Sequence, residues 1–236
     1  MSDASRVIIR VAWGKSNAPS LMSSSGPIVV IDALRMSATV IAAIHLGMEV
    51  IPVASSKAAL ALKSNRVLTA GECNGRKIDG LDLGNSPSEL LQGKKTGFSH
   101  LALTTTNGIP ALLAVANHSA AVLIGSLLNI SALAGWIVDR SSGSLSFLLA
   151  GQQGDKNQED AMTASLLLAR LGVPIPKALP SPVSPTKLKD MFMETEAAQR
   201  LISLGYSRDV LLCSSIDRFS IVPRLHRKDC ALVLSC

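Results

Sequence analysis

Short, uninterrupted apolar runs recur along the chain between residues 28 and 151, and each ends at polar residues or glycine. A strand that is buried on both faces of a sheet reads as such a continuous run, whereas a strand with one exposed face alternates between apolar and polar residues. We therefore predict buried strands at residues 28–32, 50–53, 66–72, 100–104, 121–125 and 145–151.

The segments between these runs carry apolar residues at helical spacing. They predict helices at residues 37–47, 55–65, 109–117, 129–140 and 159–171. Ser55 and Asn129 are candidate N-caps. Strand alternating with helix is typical of an α/β fold with a mainly parallel sheet and helices on both faces. Both parts of the chain share a plan of strand, polar turn and helix, which leaves a duplicated architecture of two similar halves open.

The last third of the chain follows a different pattern. Five prolines lie in residues 174–185, which we interpret as an extended, proline-rich connector. A helix is predicted at residues 184–204, with Gly205 as its C-terminal cap. Residues 209–217 and 219–225 look like final strands. We treat residues 1–236 as one domain, a size that one large domain readily accommodates.

Composition narrows the class of function. Aromatic residues make up 3% of the 236 residues, which argues against a stacking platform for single-stranded nucleic acid. The net charge of +6 is scattered, so we expect no nucleic-acid partner but a field that attracts small polyanions. The four cysteines show no C-x-x-C pair and are interpreted as reduced thiols. Because no signal peptide or membrane-spanning run is evident, we expect a cytoplasmic protein without a membrane partner.

Polar residues at the predicted strand ends are the candidates for chemistry, because ligands bind outside the carboxyl ends of the strands in such sheets. Hydroxyls, amides, glycines and an arginine at these positions suit an oxyanion. The carboxylates among them would repel one another, and a hard cation such as Mg²⁺ would relieve that repulsion. The candidates are Asp32, Arg35, Ser37, Glu72, Asn85, Ser86, Thr105, Thr106, Asn107, Gly108, Ser126, Asn129, Glu159 and Asp160.

Simpler interpretations of the same residues are open. The run TTTNG at residues 104–108 is either a turn that caps a helix or a cradle for an anion. Asp32 could cap the helix that follows it. Glu159 and Asp160 could be ordinary partners of a helix dipole. Arg35 is harder to explain in structural terms, because a guanidinium that follows a buried strand needs a partner.

Several motifs in order resemble one known family. The chain contains VIDALRMSATVIAAIHLG, GECNGRKIDGLDLGNSPSE, LTTTNG, LIGSLLN and IDRFSIVP. These blocks, from about residue 28 to residue 223, are similar to those of the 2-phosphosulfolactate phosphatase family. The resemblance implies a three-layer α/β/α fold with a mixed sheet. It also implies an Mg²⁺-dependent hydrolysis of (2R)-2-phospho-3-sulfolactate to sulfolactate and phosphate, a step of coenzyme M biosynthesis.

The family blocks cover most of the candidate residues, and one segment departs from them. The segment AGQQGDKNQED keeps Glu159 and Asp160 but lacks the Thr and the Ser-Leu of the family pattern A-G-T-x-G followed by S-L-E-D. Met36 stands where a small residue is usual. These differences concern the choice of substrate. A phosphatase acting on phospholactate or phosphoglycolate, and a non-catalytic anion-binding protein, therefore stay as alternatives.

The roles that we predict fall into three groups. Asp32, Arg35 and Glu72 are expected to be catalytic. Mg²⁺ is expected to bind Asp32, Glu72, Glu159 and Asp160, directly or through water. The expected substrate contacts are Ser37, Asn85, Ser86, Thr105, Thr106, Asn107, Gly108, Ser126 and Asn129. No phosphoenzyme residue is evident, although Asp32 could act as a nucleophile. A homodimer is possible.

Overall fold

The structure is a computed structural model that describes residues 7–93, 97–118, 120–140, 143–152, 156–228 and 231–236. Its centre is one mixed sheet with helices packed against it. The strands are β1 (Ile8–Trp13), β2 (Ile28–Ile31), β3 (Glu49–Pro52), β4 (Val67–Cys73), β5 (Arg76–Lys77), β6 (His100–Thr104), β7 (Val122–Gly125), β8 (Ser144–Leu149), β9 (Arg224–Lys228) and β10 (Ala231–Ser235).

The helices alternate with the strands up to residue 171 and then follow one another. Short 3₁₀ turns at Ala18–Leu21 and Leu127–Asn129 accompany them. The α-helices are α1 (Gly14–Asn17), α2 (Met36–His45), α3 (Ser56–Leu62), α4 (Pro87–Gln92), α5 (Gly108–Ala114), α6 (Ile130–Arg140), α7 (Gln158–Leu171), α8 (Pro185–Glu194), α9 (Glu196–Ser203) and α10 (Ser207–Cys213).

The sheet consists of two parallel sections joined by an antiparallel hairpin. The strand order is β1-β8-β2-β7-β9-β10-β3-β6-β4-β5. Strands β1, β8, β2 and β7 run parallel to one another, as do β3, β6 and β4. The β9–β10 hairpin joins the two sections through antiparallel pairing with β7 and β3. The predicted α/β fold with a mixed, mainly parallel sheet is confirmed; the duplication of the chain stays a prediction.

Both faces of the sheet are buried, and β2 shows why its sequence is continuously apolar. Ile28 and Val30 point into one hydrophobic cluster, whereas Val29 and Ile31 point into another. All four side chains are fully buried. Successive side chains of a strand alternate between the faces, so helices on both sides require an apolar residue at every position. The arrangement is the three-layer α/β/α architecture that the family resemblance implied.

The six predicted strands and the helices between them are confirmed to within a few residues. Ser55 caps α3, since its side chain accepts a hydrogen bond from the Ala58 N–H. The predicted helix at residues 184–204 is instead two helices, α8 and α9, which are separated at Thr195. The Thr195 hydroxyl caps the second helix by accepting from the Ala198 N–H. Hydroxyl side chains favour such a helix start over a helix interior.

The two predicted C-terminal strands are wrong in most of their length. Residues 207–213 form α10, in which Val210 and Cys213 are buried at helical spacing. An apolar run this short cannot distinguish a strand from a buried helix by its period. The other prediction, 219–225, overlaps β9 only at its end. The proline-rich connector contains no helix before the start of α8, as predicted, although a turn at residues 176–179 interrupts its extended course.

Two expectations concern the chain as a whole: its organisation as one domain and the absence of a membrane-spanning run. The one-domain organisation of residues 1–236 stays a prediction. Across the described ranges, no helix has both the length and the apolar character that crossing a bilayer requires.

Candidate active site

A cleft opens between the loops that follow strands β2, β4, β6 and β8. The two parallel sections run in opposite directions, and the cleft joins loops from the carboxyl ends of strands in both. Loops at the carboxyl ends of strands carry the ligand sites of open α/β sheets. Helix α9 covers one side of the cleft. The lining residues are Asp32, Leu34, Arg35, Glu72, Asn74, Gly75, Asn85, Thr106, Asn107, Gln152, Ala197, Arg200 and Leu201. Six of the predicted site residues therefore meet in one cleft, although they come from four separate stretches of the chain.

The loop after β6 reaches across the sheet to the end of β2. Four strands lie between β2 and β6 in the sheet order, yet Gly108 lies against Asp32 and Met36. A Cβ atom on residue 108 would stand 2.2 Å from Asp32 Oδ2 and 2.7 Å from Met36 Cβ. Because such distances are far below van der Waals contact, the close approach of this loop to Asp32 requires glycine.

Arg35 is a buried guanidinium whose orientation is set by three groups. Its Nη1 donates to Asp209 Oδ2 at 2.7 Å, and its Nη2 donates to the Gly75 carbonyl at 2.8 Å. The guanidinium carbon also lies 4.1 Å from the centre of the Tyr206 ring. A planar cation that is stacked and hydrogen-bonded in this way has lost its rotational freedom before any ligand binds.

Asp209, the partner of Arg35, holds helices α4 and α10 together. It accepts hydrogen bonds from the Ser86 hydroxyl at 2.8 Å and from the Ser88 N–H at 3.0 Å. The Ser88 hydroxyl donates to the same oxygen. Asp209 is 1% exposed, so the Arg35–Asp209 pair is desolvated on both sides. The sequence analysis missed this residue because 174 positions separate it from Arg35.

Two threonines of the TTTNG run have separate roles: Thr106 binds Glu72, and Thr105 caps a helix. The Thr106 N–H donates to Glu72 Oε1 at 2.7 Å, and the Thr106 hydroxyl donates to Oε2 at 3.1 Å. The Gly75 N–H donates to Oε2 at 2.6 Å. Thr105 caps α5, because its hydroxyl accepts from the Ile109 N–H at 2.9 Å. Both groups of Thr106 are thus used to position a carboxylate at the cleft.

Three further carboxyl groups are buried beside the cleft. Burial, reinforced by the charges of Asp160 and Glu72, raises the pKa of Asp32 from its ordinary value of 3.8 to about 8. Burial and the charge of Glu159 likewise raise the pKa of Asp160 to about 8. The pKa of Glu159 rises from 4.5 to about 7, first because of burial and then because of Asp32 and Glu196. The charge of Arg35 offsets only part of this shift at Asp32.

Their hydrogen bonds differ in a way that bears on metal binding. Asp160 accepts from the Ala33 N–H at 2.8 Å and from the Gly151 N–H at 3.1 Å. Glu159 is 2% exposed, and its Oε1 has no hydrogen-bond partner among the described residues. A buried oxygen without a partner is costly unless something else satisfies it. Asp160 is thus held by the backbone, whereas Glu159 keeps an oxygen available.

The donor set fits Mg²⁺ when water completes the coordination. In the ranges that the structure describes, no three His, Cys, Asp or Glu side chains are grouped closely enough to hold an ion by themselves. Mg²⁺ usually binds one or two carboxylates and keeps several waters. Asp32 at the cleft and the unpaired oxygen of Glu159 supply such donors, and a cation there would offset the repulsion that raises their pKa values.

Several predicted site residues do not line the cleft. Ser126 and Asn129 form a capping box: the Leu128 N–H donates to the Ser126 hydroxyl, and the Ser126 N–H donates to Asn129 Oδ1. The Ser37 hydroxyl accepts from the Asp32 N–H at 3.0 Å and so shapes the turn that presents Asp32. Ser86 caps α4 in addition to its bond to Asp209. The capping interpretation accounts for the polar atoms of these residues.

Other residues that line or adjoin the cleft were not among the residues predicted from the sequence. Asn74 has a positive φ of 51° in the turn that precedes β5, and an Asn-Gly pair marks such turns. Arg200 and Tyr206 lie in the helical segment after the connector, where no strand end pointed to them. Gln152 is the part of the divergent segment that lines the cleft; positions 153–155 lie outside the described residues.

Comparison with known proteins agrees with these observations. The family described as 2-phosphosulpholactate phosphatase matches residues 16–228. A protein of Caldanaerobacter subterraneus subsp. tengcongensis named probable 2-phosphosulfolactate phosphatase is 36% identical over 212 residues, which cover 84% of this chain and 87% of the relative. Proteins of the same name from Thermotoga maritima and Thermus thermophilus are 34% and 30% identical. They match 84% of this chain and 88% and 87% of their own lengths, respectively.

The family model spans nearly the whole chain, and the relatives align over almost all of their own lengths. The resemblance read from the ordered motifs is therefore confirmed. The chain belongs to the 2-phosphosulfolactate phosphatase family.

Proposed function

We propose that this chain hydrolyses the phosphate ester of (2R)-2-phospho-3-sulfolactate in an Mg²⁺-dependent reaction that yields 3-sulfolactate and phosphate. The family assignment supports a phosphoric monoester hydrolase. The observation that carries the proposal is the meeting of Asp32, Glu72 and Arg35 in one cleft at the strand ends. A site for phosphoryl transfer to water needs both cationic groups and carboxylates, and this cleft has both.

Arg35 is proposed to bind the phosphate. Asp209, the Gly75 carbonyl and the Tyr206 ring hold its guanidinium in place, and Arg35 lines the cleft. A guanidinium has five N–H donors, more than these two acceptors use. A charge that is already oriented requires no reorganisation when negative charge develops on the phosphoryl oxygens. Asn85 and Asn107 line the same cleft and are proposed as further contacts.

Asp32 and Glu159 are proposed to hold Mg²⁺, with Glu72 and Asp160 beside them. When bound, the metal would supply Lewis-acid polarisation of the phosphoryl oxygens and a lower pKa for a bound water. Asp160 ties the turn after β2 to the end of β8 through the Ala33 and Gly151 N–H groups, and so fixes the backbone next to Asp32.

Asp32 has a second property that suits the reaction. Its raised pKa of about 8 makes it a carboxyl group that can exchange a proton near neutral pH. The attacking water loses a proton, and the sulfolactate oxygen gains one as the phosphorus–oxygen ester bond breaks. Asp32 is the cleft residue placed to take part in that exchange; attack by Asp32 itself on phosphorus is the alternative.

Two other functions are weighed against this one. Gln152, in the segment that departs from the family pattern, lines the cleft and could favour phospholactate or phosphoglycolate. A non-catalytic anion binder is disfavoured, because carboxylates beside a bound anion would only weaken its binding. The coenzyme M pathway, the cytoplasmic location and a homodimer belong to the proposal as well, and analytical ultracentrifugation tests the last of these.

Phosphate release from a substrate panel tests the proposal. We expect 2-phospho-3-sulfolactate to be preferred over phospholactate and phosphoglycolate, and we expect excess chelator to abolish turnover until Mg²⁺ is restored. Arg35→Ala should lower kcat/KM by about 100-fold, as the loss of a charge-assisted contact implies. Full activity in chelator would refute the metal requirement, and preference for a non-sulfonated ester would favour the second function.

A further inference from the structure

The cleft contains a second guanidinium, that of Arg200 on α9. Its Nη2 donates to the Asn74 carbonyl at 2.9 Å, while Arg35 Nη2 donates to the Gly75 carbonyl at 2.8 Å. Asn74 and Gly75 are consecutive, and consecutive Cα atoms are about 3.8 Å apart. Neighbouring carbonyls of one turn therefore bind both guanidinium groups, and both arginines line the cleft.

The two guanidinium groups differ in their charge balance. Arg35 is buried and is neutralised by Asp209. Arg200 is exposed, and within the described part of the chain no carboxylate lies at ion-pair distance from it. Its positive charge is thus available to a ligand that already contacts Arg35.

Packing of α9 holds Arg200 in this position. Ala198 and Leu201 are buried on the inner face of the helix. Leu201 also lies beside Gly75, since a Cβ atom at that glycine would stand 3.6 Å from Leu201 Cδ2. A cation in the last turn of a helix also interacts favourably with the helix dipole. The dipole explains a basic residue at this end of α9 but not its contact with the Asn74 carbonyl inside the cleft.

We propose that Arg200 binds the acidic group of the substrate that is not hydrolysed, a sulfonate or carboxylate one or two carbons from the phosphate ester. This inference rests on the proposed function, because it takes Arg35 as the phosphate contact. Arg200 is then a specificity-determining residue that selects phosphate monoesters carrying a second negative charge. Two neighbouring guanidinium groups match two acidic groups on adjacent carbons, and a guanidinium accommodates either oxyanion.

Kinetics of the Arg200→Ala variant on several phosphate esters test whether Arg200 selects the substrate or takes part in catalysis. For 2-phospho-3-sulfolactate we expect kcat/KM to fall by about 30- to 100-fold, chiefly through KM, since a hydrogen bond to a charged group contributes about 1.5–3 kcal/mol. For isopropyl phosphate, which has no second acid, we expect a change of less than about twofold. Phospholactate, which retains only the carboxylate, shows which acid Arg200 binds. Arg208→Ala, on the exposed side of α10, is the matched control.

Equilibrium titration separates failure of this inference from failure of the proposed function. The product 3-sulfolactate and inorganic phosphate are titrated separately into wild type and Arg200→Ala. We expect about 30-fold weaker binding of 3-sulfolactate and unchanged binding of phosphate. An equal loss for both ligands, or no loss for either, would overturn the inference. A wild type that binds 3-sulfolactate through Arg200 without hydrolysing any ester would refute the proposed function alone.

Discussion

The two sides of the cleft solve the problem of buried charge in opposite ways. On one side, Arg35 has an ion pair, a carbonyl acceptor and an aromatic ring, so its charge is fully compensated. On the other side, Asp32, Glu159 and Asp160 are buried together, and their pKa values rise to about 7 or 8. One side is complete within the protein, whereas the other needs a proton or a cation from outside.

The arginine side holds the structure of the site rigid, whereas the carboxylate side has the groups that can react. A buried ion pair that satisfies both partners locks the geometry of α4, α10 and the turn after β2. Carboxylates that repel one another hold their charge at a cost, which a bound cation would relieve. We therefore expect loss of Asp209, the partner of Arg35, to affect folding, and loss of a clustered carboxylate to affect chemistry.

The largest expected effect is that of Asp32→Asn. This substitution keeps the shape against Gly108 but removes the charge and the exchangeable proton. We expect kcat/KM for the best substrate to fall by about 10³-fold, equivalent to about 4 kcal/mol, with no loss of thermal stability. Asp79→Asn, at an exposed position outside the cleft, is the control. Activity within tenfold of wild type would remove Asp32 from the reaction.

The next effect is on folding. Asp209→Ala leaves the Arg35 guanidinium buried without its carboxylate, and we expect the free energy of unfolding to fall by about 3 kcal/mol in urea titrations. Asp139→Ala breaks the exposed pair with Arg140 and should cost less than about 0.5 kcal/mol. Equal stability of the two variants would show that the arginine side does not stabilise the fold.

The pH dependence of stability tests the carboxylate side. The folded pKa values of Asp32, Asp160 and Glu159 lie above their unfolded values, so the folded state binds more protons between about pH 4 and 8. In chelator, we expect the melting temperature to fall as the pH rises through this window. Asp32→Asn should reduce the slope. A melting temperature that rises with pH across this range would contradict the uncompensated cluster.

The smallest effect concerns a residue that the sequence placed in the site. Ser126→Ala removes an N-cap, which contributes about 1 kcal/mol, while Ser126 lies outside the cleft lining. We expect a small loss of stability and an unchanged KM. An increase in KM of more than about fivefold, measured in the same phosphate-release assay, would restore Ser126 as a substrate contact.

A large part of the fold could be predicted from local pattern. Strand β6 was predicted with its observed ends, because a strand buried on both faces has a clear apolar signature. Asp32, Arg35, Glu72 and Thr106 were found because they follow such strands. The segment of helix α10 was predicted as a strand, because its period is ambiguous over seven residues. Arg200 and Tyr206 follow no predicted strand, and they were missed for that reason.

The sequence by itself determined the α/β class and the family, and it predicted the site at the ends of strands. These follow from side-chain burial and motifs within single segments. Only the tertiary structure decided that the loop after β6 brings Gly108 to Asp32 across four strands and that Asp209 neutralises Arg35. It also decided that, among the residues it describes, none offers Arg200 a carboxylate at ion-pair distance. Those facts depend on groups far apart in the chain, and charge compensation is settled by distance in space.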